Sequence, residues 1–133
     1  MEDETMLTIN SAADIVTARQ RGRTMAIELG FDASDLTLVA TAISEIARNI
    51  VSHAKRGQIQ LKPIHHGSKH GIMIIARDEG PGIADVEQAM QYGFSTRNGL
   101  GVGLPGAKWL MDEFDIETKV GKGTTVTMKK WLH

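Results

Sequence analysis

The sequence predicts one α/β domain, and three observations predict it. Segments around 15–29 and 36–53 repeat apolar residues at helical spacing. Residues 57–61 alternate polar and apolar side chains, while 72–76 form a continuous apolar run bounded by turn residues, so both read as strands. Glycine-centred turns near 67–69 and 121–123 join neighbouring strands into hairpins. At 133 residues the chain suits a single domain with a real core.

Taken in order, residues 5–9 alternate weakly and form a short edge strand. Asn10 or Ser11 caps the first helix, Asp14 stands near its first turn, and Gly30 stops it. Ile15, Ala18, Gly22, Met25, Ala26 and Leu29 follow its helical spacing, with Arg19, Arg21 and Arg23 between them. Those arginines read as a solvated face, with a partner surface as the alternative. Asp32 or Ser34 caps the second helix, which runs to His53 or Ala54. Leu36, Val39, Ala40, Ile43, Ile46, Ala47 and Ile50 form its apolar stripe. Strand 57–61 turns at Gly67-Ser68-Lys69 into the apolar strand, which ends at Arg77. Asp85 caps a short helix over 86–92, and 93–98 is a polar loop suited to a lid. A helix over 104–113 and a hairpin of 114–120 with 124–132 complete the chain.

Composition narrows the function. Fifteen basic residues against 16 acidic ones leave a net charge of −1, with no bulk attraction for nucleic acid or an anionic membrane. No cysteine is present, so disulfides and thiolate chemistry are excluded, which fits a reducing cytoplasm. No apolar run approaches the roughly 20 residues that span a bilayer. The acidic start, Met1-Glu2-Asp3-Glu4, lacks the basic segment of a secretory signal. His65, His66 and His70 flank a turn without zinc-like spacing and read as exposed turn residues.

The chemistry concentrates between 72 and 104. Asp78 ends the apolar strand and is followed by Gly80-Pro81-Gly82. As a turn residue it would bond its own backbone; as a functional one it would accept from an exocyclic amine such as that of adenine. Gly99-Leu100-Gly101-Val102-Gly103-Leu104 opens a helix, where backbone N–H groups receive phosphate. Two glycine patterns fail in this context. Gly101-Val102-Gly103-Leu104-Pro105-Gly106 imitates a dinucleotide fingerprint but lacks a strand before it. A phosphate-binding P-loop would need lysine where Ala107 stands. Glu45 and Asn49 lie one turn apart on the shoulder of the second helix's stripe, where a side chain can line a cleft. Thr124 and Thr125 begin the last strand, within reach of a base held by Asp78.

Glu45-x-x-x-Asn49, Asp78-x-Gly80-x-Gly82, Gly99-x-Gly101-x-Gly103 and Gly121-x-Gly123-Thr124 resemble, in order and spacing, the asparagine box and three glycine boxes of the GHKL ATPase/kinase superfamily. Across nearly its whole length the chain is similar to stressosome switch kinases of the RsbT type, within the anti-sigma-factor kinase branch. That resemblance extends to Asp14-Ile15-Val16, Gly93-Phe94-Ser95-Thr96 and Leu110-Met111-Asp112-Glu113-Phe114. It implies a two-layer α/β sandwich (the Bergerat fold), with helices on one face of a mixed, mostly antiparallel sheet. It also implies Mg²⁺- and ATP-dependent phosphorylation of serine or threonine on STAS-domain partners, followed by activation of a PP2C-type phosphatase regulator. Asn49 then holds Mg²⁺ together with the ATP phosphates, and Glu45 accepts the proton of the attacking hydroxyl. The nucleotide set comprises Asn49, Asp78, Gly80, Gly82, Phe94, Thr96, Gly99, Leu100, Gly101, Val102, Gly103, Leu104, Thr124 and Thr125. Arg97 joins it, facing the γ-phosphate, on charge and place rather than on a motif. A non-catalytic, nucleotide-gated binding module of the anti-sigma type is the competing reading.

Overall fold

Alternating side chains lay down five strands in the computed structural model, which describes residues 4–82 and 103–132. They are β1 (Thr5–Ile9), β2 (Gly57–His66), β3 (Lys69–Asp78), β4 (Glu113–Lys119) and β5 (Gly123–Trp131). Their order is β1-β2-β3-β5-β4, with β1 at an edge as expected. Every pairing among them is antiparallel, so the parallel component of a mixed sheet is not found among the described strands. The hairpins explain this: tight turns force β2 against β3 and β4 against β5 head to tail, and β5 then returns beside β3.

Among the described residues three α-helices accompany the sheet: α1 (Ala12–Leu29), α2 (Ala33–Asn49) and α3 (Gly103–Leu110). α1 and α2 pack on each other and on one face of the sheet, and α3 packs against α2. The strand period of two decides which side chains meet them. Ile9, Ile59, Leu61, Ile72, Ile74, Ala76, Val126 and Met128 are buried on that face with Val39, Ile43 and Ile46 of α2. Each large apolar side chain so buried contributes about 1.5–3 kcal/mol. Gly22 permits the close crossing of α1 and α2, because the tip of Ile43 occupies the place of its missing Cβ.

The helix ends follow from local chemistry. The Asp14 carboxylate accepts from the backbone N–H of Asn10 at 2.8 Å and of Ser11 at 3.1 Å, closing the start of α1. Gly30, at φ 99°, closes its end by donating to Ala26 O. Asp32 Oδ1 accepts from Asp35 N–H at 2.9 Å and caps α2.

β2 runs on to His66, past the expected 57–61, β3 ends at Asp78 rather than Arg77, and two helix ends also differ from expectation. The α-helical part of α2 stops at Asn49, and a π-helical turn, Ile50–Ala54, carries the chain to Lys55 at φ 70°. α3 stops at Leu110 rather than 113. There Asp112 N–H donates to Lys129 O at 3.0 Å, drawing the chain into the sheet so that β4 begins at Glu113. The expected Asp85 cap, the helix over 86–92 and the loop over 93–98 lie outside the described residues. His65, His66 and His70 are exposed, and no three metal-ligating residues gather among the described ones.

Candidate active site

Asp78 is the last residue of β3, paired with Gly57 on one side and Thr124 on the other. All three continue the rows that face the helices. Asp78 Oδ1 accepts from Gly80 N–H at 2.9 Å, so the turn role anticipated for this aspartate is real. A carboxylate has two oxygens, and one local bond leaves capacity for a second donor.

The glycines around it mark close approaches. A Cβ on Gly80 would lie 2.6 Å from Ala54 Cβ, so the segment after Asp78 sits directly on the π-helical turn. A Cβ on Gly123, at φ 117°, would collide with the backbone oxygen of Asp78. Gly121 N–H donates to Pro81 O at 2.8 Å. The run Gly80-Pro81-Gly82 is thus held between the end of α2 and the β4–β5 turn.

Glu45 is 6% exposed, and Arg48 Nη1 donates to its Oε1 at 2.7 Å. A buried carboxylate held by a guanidinium stays oriented, as a group acting at one place must. Asn49, half-buried, follows one turn later as the last residue of α2. The π-helical turn begins there, and such turns recur at functional sites because they redirect the side chains around them. Here it brings Ala54 onto Gly80.

Thr124 is buried, and its Oγ1 lies 2.9 Å from Thr118 Oγ1. Thr118 donates to Gly123 O at 3.2 Å, and a hydroxyl has one proton, so Thr124 is the donor within the pair. Its lone pairs then stand as acceptors beside Asp78. Thr125 does not join it. Alternation turns Thr125 to the face away from the helices, where it lines a cleft with Thr8, Gln58 and Arg77 that reaches Asp78 at the strand end. Gly103 and Leu104 open α3, whose first-turn N–H groups have no acceptor within the helix. Phe94, Thr96, Arg97, Gly99, Leu100, Gly101 and Val102 lie outside the described residues.

Sequence reasoning passed over Arg48, Thr118 and the π-helical turn. Arg48 was visible as the i+3 partner of Glu45. Thr118 became legible only through the β4–β5 register, and nothing in Ile50-Val51-Ser52-His53-Ala54 announces a π turn.

The sequence matches the Histidine kinase-like ATPase domain family over residues 9–130. The chain belongs to that family. Within the histidine kinase-like ATPases it is 49% identical over 132 residues to "Serine/threonine-protein kinase RsbT" of Bacillus subtilis, covering 99% of each chain. It is 37% identical over 113 residues to "Anti-sigma F factor" of Thermoanaerobacter sp., covering 80% of this chain and 78% of that protein. These likenesses make it an RsbT-type member of the family. Among solved structures, the RsbU and RsbW domains of Rv1364c from Mycobacterium tuberculosis superimpose with a TM-score of 0.65 at 23% identity. That match covers 98% of this chain and 32% of the other, and it shows the α/β sandwich.

Proposed function

We propose that the chain is a serine/threonine-protein kinase that transfers the γ-phosphate of Mg-ATP to a serine or threonine of a STAS-domain partner. On release it would bind and activate a PP2C-type phosphatase regulator, as a cytoplasmic partner switch of the stressosome. The observation that carries this reading is the buried, Arg48-oriented Glu45 one turn before Asn49, in a chain 49% identical to an RsbT kinase.

The donor set suits the nucleotide. Asp78 and Thr124 present acceptors to an exocyclic amine, which favours adenine. Gly103 and Leu104 present backbone N–H groups to anionic oxygens. Asn49 offers one amide oxygen to Mg²⁺. No three metal-ligating carboxylates, histidines or cysteines gather among the described residues, so phosphate oxygens and water would complete the metal's shell. ATP supplies the phosphoryl group, and Mg²⁺ offsets its charge. Glu45 accepts the proton of the partner's hydroxyl, while Arg48 keeps the carboxylate in place.

The likeness to an anti-sigma factor keeps a second reading in view, a module that binds a partner without phosphorylating it. Incubation with ATP labelled at the γ-phosphate and a STAS-domain protein, followed by phosphosite mapping, separates the two. Label on a partner serine or threonine supports the kinase. Tight, nucleotide-dependent binding without label supports the module.

A further inference from the structure

Lys130 is a buried cation at the end of the helix layer away from the nucleotide. Alternation along β5 turns Thr124, Val126, Met128 and Lys130 toward the helices, and all four are buried. Thr124 meets Asp78 at one end of this row, while Lys130 closes the other, about 20 Å away.

Three groups from separate elements surround its ammonium. Nζ donates to Leu110 O, at the C-terminus of α3, at 3.3 Å. It lies 3.8 Å from Asp112 Oδ1, in the bend before β4, and 3.9 Å from Asp35 Oδ1, in the first turn of α2. The Asp112 carboxylate is held in turn, its Oδ2 accepting from Trp131 N–H at 2.8 Å, and the Asp35 backbone N–H donates to the Asp32 cap. A cation at a helix C-terminus also matches the negative end of that helix's dipole.

The helices run in opposite senses from this point. α2 starts beside Lys130 and ends at Asn49; α3 ends beside Lys130 and starts at Gly103. Their other ends are the ones assigned to metal and phosphate. α3 has only eight residues, about 12 Å, so fixing one end fixes the other.

We infer that Lys130 is a positioning residue, whose buried ammonium ties the start of α2 to the end of α3 and so sets Asn49 and Glu45 against the phosphate-facing start of α3. Without it, Asp35 and Asp112 would face each other with no cation between them, and their like charges would oppose the approach of the start of α2 to the end of α3. The inference rests on the nucleotide-site reading.

The test is the variant Lys130→Met, which keeps length and apolar bulk, beside Lys130→Arg, Asp35→Asn and Asp112→Asn. Calorimetry with Mg-ATP and steady-state transfer to a STAS-domain protein would be measured on each. Lys130→Met should weaken ATP binding and raise the KM for ATP by about tenfold, the span of one lost charged contact of about 1.4 kcal/mol. The KM for the protein substrate should stay within about twofold, a split that general destabilisation would not give. Arginine should restore affinity to within about threefold, since it keeps charge and donors. The single aspartate variants should weaken ATP binding about two- to threefold, and they decide the matter should Lys130→Met fail to fold. Unchanged nucleotide affinity in the aspartate variants, or in a folded Lys130→Met with a lowered melting temperature, overturns the inference. A wild-type chain that binds no ATP would instead overturn the nucleotide-site reading.

Discussion

At the Lys130 end of the helix layer, the helix ends close by ordinary local chemistry. Asp32 caps α2, Gly30 turns α1 with nothing near the place of its missing Cβ, and Lys130 answers Leu110 O. The Asp78 end is built differently. There α2 passes into a π-helical turn, Lys55 takes φ 70°, and Gly57, Gly80, Gly82 and Gly123 sit where a Cβ would strike backbone or side chain. Gly71 also approaches backbone closely, at Lys130 O, but Gly82 and Gly123 combine such an approach with positive φ, whereas the positive-φ Gly30 and Gly67 at the Lys130 end stand in open space. Regular geometry is given up around Asp78, and at the Lys130 end the layer is fastened by caps, open turns and charge pairing. Strain stored at a site and compensated elsewhere is the expected pattern for a functional region.

The largest expected effect separates chemistry from architecture. Glu45→Gln keeps an oxygen for Arg48 but cannot act as a base, so phosphotransfer should fall about 10²–10⁴-fold. Mg-ATP affinity and melting temperature should stay near wild type. Transfer at the wild-type rate would remove Glu45 from the proton-transfer role. Asn49→Ala comes next. Affinity for ATP with Mg²⁺ should drop roughly tenfold or more, toward the value in chelator, because contacts with charged groups are worth about 1.5–3 kcal/mol. If Mg²⁺ still strengthens binding as in wild type, another group holds it.

The glycines test the contrast between the ends directly. Gly123→Ala should cost on the order of 1–3 kcal/mol in a denaturant melt and weaken nucleotide binding as well, since it drives β5 off Asp78. Gly30→Ala, with open space around it, should cost about 1 kcal/mol and leave nucleotide affinity alone. Equal effects on binding would erase the contrast. The smallest effect concerns one residue step: Thr124→Val should weaken ATP binding by about two- to tenfold, a hydrogen bond's worth. Thr125→Val, on the other face of the sheet, should leave it unchanged in the same titration.

Much of this was legible in the sequence, for identifiable reasons. The alternation over 57–61 marked Ile59 and Leu61 of β2 for burial, and the stripe on α2 placed Glu45 and Asn49 at its border. Asp78 at a strand end followed from an apolar run meeting a glycine turn. The all-antiparallel sheet was not readable, because strand order depends on contacts between distant segments. Thr125 was grouped with Thr124 by adjacency; the period of two sends the two to opposite faces, and Thr125 reaches Asp78 from the face away from the helices. That same period, followed from Met128 to Lys130, predicts a buried lysine, and the partners that make it tolerable come from α2 and the α3–β4 bend. The early stop of α3 also lay beyond local signals, since it depends on Asp112 meeting Lys129 O across the sheet.

The central claim is that Asp78 makes the end of the helix layer an adenine site, and calorimetric titration with ATP and GTP tests it most directly. A carboxylate beside Thr124 accepts from adenine's amine and opposes the carbonyl oxygen of guanine. The wild type should therefore prefer ATP by at least about tenfold, from a polar match worth about 1–3 kcal/mol. Asp78→Asn should lose most of that preference while folding normally, since the asparagine oxygen can still accept from Gly80 N–H. Equal affinity of the wild-type chain for ATP and GTP would contradict the account.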